Sequence, residues 1–162
     1  MSRSLGLLLL KAGLIQPAHL IEAHRSTTNG VPEEPLALRL VRLGIATEAQ
    51  IAAALSFQLK LPRARLTIAA FEARAAARVP REVAEKYVVC PVAIEGHVLR
   101  LAMADPLNFD AICEVESVSG LPVRVNVATP TEIRAAIAAF YAVVETPIGP
   151  HLSDPHPVVA TP

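Results

Sequence analysis

The chain has 162 residues, 52% of them hydrophobic and only 4% aromatic, with no Trp, so any core must be built from Leu, Ile, Val and Ala. Fifteen Lys and Arg balance fifteen Asp and Glu for a formal net charge of +0, which gives no electrostatic case for general nucleic-acid binding but leaves room for a local anion site. No stretch reaches the ~20 apolar residues that span a bilayer.

The N-terminal Met-Ser-Arg-Ser-Leu-Gly-Leu-Leu-Leu-Leu-Lys has the flavour of a signal peptide, but its apolar run stops at Lys11 and no small-residue cleavage site follows, so a folded helix is expected. Leu5, Leu8, Leu9 and Ala12 fit one face of that helix, and Gly13 stops it as a left-handed cap. Pro17 suits the first turn of a second helix, where its missing N–H goes unneeded, and Leu20, Ile21, Ala23 and His24 follow at helical spacing. Thr27 to Pro32 forms a loop. A third helix opens near Glu33 and Glu34, carries Leu36, Leu40 and Leu43 as its stripe, and ends at Gly44. Thr47 and Gln50 stand at capping-box spacing before a fourth helix with Ile51, Ala54, Leu55 and Gln58 on one side, closed by Leu61-Pro62.

The Ala-rich stretch from Ile68 to Arg78 predicts a helix, and Pro80 to Lys86 a further short one. The period then changes from helical to alternating. Tyr87–Ile94 and His97–Met103 flank Glu95-Gly96 as a β-hairpin. Asp105-Pro106 makes a turn, where Asp is favoured structurally; Asn108 caps a helix through Val118, and Gly120 ends it. Pro122 to Val127 is a third strand, and Thr129-Pro130-Thr131-Glu132 opens a last helix to about Ala142. The proline-dense Thr146 to Pro157 lacks periodicity and reads as a disordered tail or linker.

The first four helices are a duplication. Leu5 aligns with Leu36, Gly13 with Gly44, Leu14-Ile15 with Ile45-Ala46 and Leu20 with Ile51, all at an offset of 31 residues. The fold class is therefore α+β: a helical N-terminal subdomain of two repeated helix pairs over residues 1–62, a ββαβα subdomain with a small three-stranded sheet over 63–142, and a Pro-rich tail or linker over 143–162.

These residues resemble the N-terminal domain of the type II secretion and type IV pilus assembly ATPases, including its MshEN-type, cyclic-di-GMP-binding version. That family repeats a motif of Arg-Leu-Gly, two apolar residues, a Gly with two further apolar positions, then Leu, Leu and Gln at helical spacing. The second copy here keeps Leu36, Leu40-Val41, Gly44-Ile45-Ala46, Ile51, Leu55 and Gln58; the first keeps Leu5-Gly6, Leu9-Leu10, Gly13-Leu14-Ile15 and Leu20. Pro80, the hairpin, Leu101 to Leu107, Gly120 and Ala128 to Ile133 extend the likeness. The resemblance implies a nucleotide-binding set of Arg3, Leu5, Gly6, Leu9, Gly13, Leu14, Leu36, Arg39, Leu40, Gly44, Ile45, Ile51, Leu55 and Gln58. The family Arg is Ser4 in one copy and Pro35 in the other, with Arg3 and Arg39 as substitutes nearby; Ala37, His24 and Thr27 replace a Gly, a Leu and a Gln. Of the polar groups that grip phosphate and guanine, Gln58 alone is retained, so weak or undetectable cyclic-di-GMP binding is expected.

The sequence contains no GxxxxGK[ST], HExxH, GxSxG or zinc-type Cys/His spacing, so no catalytic residue and no metal ligand is assigned. Cys90 and Cys113 are expected as two buried, reduced thiols. His19 and His24 are five apart, which does not make a helical metal pair; His24 is expected at a helix–helix contact. Glu114 and Glu116 are expected as surface charges. The two glycines are helix caps first, although a glycine turn also lets a ligand approach the backbone, and the leucine stripes are core before they are ligand contacts. The resemblance implies a non-enzymatic regulatory or docking module with no cofactor beyond a possible cyclic-di-GMP ligand. Its implied partner is a protein of the secretion or pilus machinery, or a C-terminal ATPase domain in a related chain. Its implied place is the cytoplasm, recruited to the inner membrane through a partner.

Overall fold

The computed structural model describes residues 2–25 and 36–145, with side chains from Leu5 onward. The expected loop at Thr27 to Pro32, the helix start at Glu33 and Glu34, and the tail from Thr146 lie outside the described residues. The elements are α1 Ser2–Lys11, α2 Pro17–Arg25, α3 Leu36–Arg42, α4 Glu48–Leu59, α5 Ala73–Ala76, α6 Arg81–Tyr87, β1 Val89–Glu95, β2 Val98–Met103, α7 Phe109–Ser119, β3 Val123–Val127 and α8 Pro130–Glu145, with one 3-10 turn at Ile68–Ala70. The fold is mixed α+β: N-terminal helices, then β1-β2-α7-β3-α8 with a three-stranded sheet in the order β1-β2-β3.

The two helix pairs match bond for bond at the 31-residue offset. Gly13 and Gly44 both have φ of +69°. The Leu14 N–H donates to the Leu9 carbonyl at 3.1 Å and the Ile45 N–H to the Leu40 carbonyl at 3.0 Å. Leu9 and Leu40 are both fully buried. The capping also repeats. Thr47 and Gln50 form the expected box at α4. At the equivalent place before α2, the Gln16 N–H donates to His19 Nδ1 at 3.1 Å. An imidazole there takes the part that the Gln50 amide oxygen takes for the Thr47 N–H at 2.9 Å.

Antiparallel β1 and β2 meet through the pair Glu95 and Val98, which makes the connecting turn Gly96-His97, one residue later than expected. Gly96 supplies the positive φ of 62° that a two-residue hairpin turn needs. β3 runs parallel to β2. One face of the sheet packs under α8 with Cys90, Val92, Ala102, Ala128, Ile133, Ile137 and Phe140. The other packs on α7 with Leu99, Leu101, Met103, Ala111 and Val115. The helix pairs form their own cluster, into which Val127 of β3 inserts.

Glutamates close much of both sheet edges. At β1 the Glu72 N–H donates to the Val92 carbonyl at 2.8 Å, and the Ile94 N–H donates to Glu72 Oε2 at 3.1 Å. At β3 the Val123 N–H donates to Glu116 Oε1 at 2.9 Å, so Glu116 is a structural tie rather than a free surface charge. At the far end of β3, the Val127 N–H donates to the Pro62 carbonyl and the Ala64 N–H to the Val127 carbonyl. Edges left unpaired invite association with another strand. The Glu72 bonds also explain why Ile68 to Arg78 is not one helix. Phe71 and Glu72 are extended, Glu72 pairs with β1, and the Phe71 ring stacks on Phe140 at 4.0 Å. Tertiary pairing overrides the alanine propensity.

Three smaller expectations change. His24 is exposed, because α2 turns Ala23 inward instead. Cys90 is buried but Cys113 is exposed, on the opposite side of α7 from Ala111 and Val115. Ala12 lies beyond the end of α1 and is exposed.

Candidate functional site

The helix pairs carry the residues singled out from sequence, and their side chains divide into three groups. Leu5, Leu9, Leu36, Leu40, Ile51 and Leu55 are buried together in one apolar cluster. Gly6 is buried beside them: a Cβ there would stand 3.0 Å from a Leu20 methyl and 3.3 Å from a Leu36 methyl, so the missing side chain lets α1 approach its neighbours. Leu14 and Ile45, half-buried, pack against the same cluster from the turns that follow α1 and α3.

Gly13 and Gly44 are exposed, and nothing stands within 4 Å of where their Cβ would be. Each therefore presents bare backbone at the surface. Gln58 lies elsewhere, half-buried at the C-terminal end of α4 in an open groove with Phe57, Lys60 and Leu61. The Phe57 ring beside it is 81% exposed. Lys60 closes α4 in a left-handed conformation with φ of 53°, which aims the chain from the groove toward β3.

Arg39 is 3% exposed and points inward. Its Nη1 donates to the Ala23 carbonyl, near the end of α2, at 3.0 Å. A cation at a helix C-terminus meets the negative end of the peptide dipoles there, so this guanidinium joins α3 to α2. The side chain of Arg3 lies outside the described residues. The residues thus brought together are the apolar ones, as core; Gly13, Gly44 and Gln58 are the surface elements. Among the described residues no cluster of His, Cys, Asp and Glu has the makings of a metal site, and no helix is long and apolar enough to cross a membrane.

Sequence reasoning missed the inward turn of Arg39. The signal was available: at the repeat offset its counterpart is Leu8, which packs against the same apolar cluster.

Relatives with this arrangement are known. The chain is 34% identical over 155 residues, or 95% of its length, to the type IV pilus assembly ATPase PilB of Myxococcus xanthus. It is 29% identical over 153 residues to PilB of Thermus thermophilus. It spans only 26% and 17% of the lengths of those two proteins. Among solved structures, MshE with cdg superimposes with a TM-score of 0.68 at 25% identity, covering 85% of this chain and 98% of that one. The N-terminal domain of XpsE gives 0.60 at 23% identity, over 85% of this chain and 94% of that one, a likeness of fold. The paired helices on a ββαβα unit are thus of the class that resembles the N-terminal domains of assembly ATPases. Residues 59–147 match the MshEN domain, from the last residue of α4 onward, and the chain belongs to that family.

Proposed function

We propose that the chain is a regulatory or docking module of the pilus and secretion assembly ATPase kind, acting through protein–protein contact in the cytoplasm, and that its helix pairs are a reduced form of a cyclic-dinucleotide site kept as scaffold. The observation that carries this is the pairing of an intact repeat with a depleted polar set. The matched turns at Gly13 and Gly44 and the matched leucines persist, while Arg39 is engaged by the Ala23 carbonyl and Gln58 is the one polar position of the motif that the sequence keeps. A ligand with two phosphates and two guanine edges is gripped by fixed guanidinium and amide donors. Each charged hydrogen bond lost costs ~1.5–3 kcal/mol, so losing several takes a micromolar site beyond millimolar.

The second reading, a competent cyclic-di-GMP receptor, draws support from the likeness to MshE, solved with cdg. Calorimetric titration of the purified chain with cyclic-di-GMP separates the two. Little or no heat at high ligand concentration is expected. Tight, stoichiometric binding abolished by Gln58→Ala would replace the docking reading with the receptor one. Docking itself is tested by co-purification with a defined pilus or secretion component. Retention of that component by wild type and its loss when the helix pairs are deleted is the expected result.

A further inference from the structure

The 31-residue repeat gives the two helix pairs matching outer faces, and the two faces differ in what covers them. In the second pair, Leu38, Val41, Glu48 and Ala52 share a narrow cleft with Ala104, Ala128 and Pro130, at the junction with the α+β half. Glu48 adds the hydrogen bond from the Thr131 N–H. At the repeat offset these four positions become Leu7, Leu10, Pro17 and Ile21 in the first pair. The face is more apolar there, because Pro17 stands for the Glu48 carboxylate and Ile21 for Ala52. Its burial runs the other way. Ala52 is buried and Leu38 half-buried, whereas Ile21 is 58% and Leu7 53% exposed. An apolar patch left in water marks a contact surface.

The junction also shows what such a face accepts: small apolar side chains around the start of α8. The outer side of α8 continues that chemistry. Ala135 and Ala139 are exposed about one and two turns beyond Thr131. With Leu66, Ile68 and Phe140 they line an open groove of about 430 Å³ between α8 and the 3-10 turn. Ile68 stands on its rim, 76% exposed. Glu132 is the carboxylate of the groove, and it is already held by Arg63 at 3.3 Å and by the Thr129 N–H at 2.8 Å. The groove therefore asks for an uncharged occupant. One surface of the chain has projecting apolar side chains without a recess, and another has an apolar recess without a projecting side chain.

We propose that the chain self-associates, with the Leu7 and Ile21 face of one copy seated in the α8 groove of a second copy. The contact is heterologous, since it joins two different surfaces. It repeats between copies the pairing of helix-pair face and α8 that the second pair makes within one copy. It stands apart from docking to a pilus or secretion component, which a single copy could equally perform.

Sedimentation velocity of the full chain across a concentration series tests this. A mass that grows with concentration is expected. Ile21→Glu and Ala139→Glu should each weaken association about tenfold or more, since each places a lone carboxylate in an apolar contact. Both positions are exposed, so both variants should keep the fold, which circular dichroism reports. The deciding arm is the mixture. Each variant retains the surface that the other lacks, so an equimolar mixture should form a 1:1 pair that neither variant forms alone. A chain that stays monomeric up to about 1 mM would overturn the proposal. So would association that persists in either variant, or a mixture that stays monomeric. None of these results would alter co-purification with a pilus or secretion component, so the two readings fail separately.

Discussion

The carboxylate of Glu48, in the first turn of α4, accepts a hydrogen bond from the backbone N–H of Thr131, in the first turn of α8, at 3.1 Å. The contact joins the helix pairs to the α+β half through the amino ends of two helices, where free N–H groups and the dipole both favour an anion. It is not alone. The Thr129 N–H donates to Glu132 Oε2 at 2.8 Å and the Glu132 N–H to Thr129 Oγ1 at 3.2 Å, a second capping box at the same turn. The other end of α4 leads into the segment that pairs with Val127. Glu48→Ala should therefore lower stability by about 1 kcal/mol, and Glu48→Gln, which keeps an acceptor and drops the charge, by about half as much. Urea denaturation of the three proteins checks this; an unchanged midpoint in Glu48→Ala would mean the junction does not use the bond.

Gly44 and Gly6 make different demands, and substitution should separate them. At Gly44 the space is open and φ is +69°, so the cost of a side chain is conformational. Gly44→Ala should cost ~1 kcal/mol and Gly44→Val more, because a branched Cβ fits the left-handed region poorly. Gly6 sits within α1, and an added methyl meets the flexible ends of Leu20 and Leu36. Alanine is the better helix former by ~1 kcal/mol, which offsets part of the crowding. Gly6→Ala should thus be milder than Gly44→Val. Thermal melts that reverse this order would contradict the assignment of the two roles.

Much of the fold was legible because its signals are local. The glycine stops, the Thr47–Gln50 box, the Asn108 cap and the shift from helical to alternating period each act within a few residues. What escaped was set by distant partners. No local feature of Ile68 to Arg78 announces that Glu72 bonds β1, or that Phe71 lies on Phe140. Glu116 looked like any surface acid until β3 brought the Val123 N–H to it. The candidate site was legible as a repeat of apolar positions and glycines. The direction of Arg39 was not, because it depends on where the end of α2 falls against α3.

Arg39 should matter to stability. Removing it takes a charged donor from the Ala23 carbonyl and a long stem from the core, so Arg39→Ala should cost about 2–3 kcal/mol. Arg39→Leu should cost less, since an apolar side chain of similar bulk can replace a buried charge, and leucine is what the first copy carries at Leu8. Chemical denaturation compares them. Equal stability of wild type and Arg39→Ala would show that the inward bond is incidental.

The two thiols should react very differently. Burial pushes the Cys90 thiol up to about 12, which leaves almost no thiolate at neutral pH. Cys113 is exposed on α7. A thiol reagent should label Cys113 promptly in the native protein and reach Cys90 only after unfolding, as peptide mapping by mass spectrometry would resolve. Labelling of Cys90 at a rate matching Cys113 under native conditions would contradict the packing of the sheet under α8.

Asp105 gives the clearest pH prediction. Its Oδ1 accepts from the Leu107 N–H at 3.0 Å, closing the turn after β2. Burial is the larger influence and raises its pKa, while that hydrogen bond pulls it down in part. The folded state therefore holds this proton at pH values where the unfolded chain has released it. Stability is lost as pH rises from the unfolded value through the higher folded one, and the whole penalty stands above that window. Asp105→Asn keeps an acceptor for the Leu107 N–H and has no charge to desolvate. It should be more stable than wild type at neutral pH, with the gap narrowing on acidification as the Asp105 carboxyl gains its proton at its raised folded pKa, above the ordinary carboxylate range. Glu72 runs the other way. Its pKa is lowered, first by the Arg74 hydrogen bond and then by the Ile94 N–H, so its contribution fades on acidification. That loss is common to both proteins and cancels in the comparison. Denaturant midpoints of the pair across this pH range measure the difference. A variant less stable than wild type at neutral pH would show that the Asp105 charge is itself used by the turn.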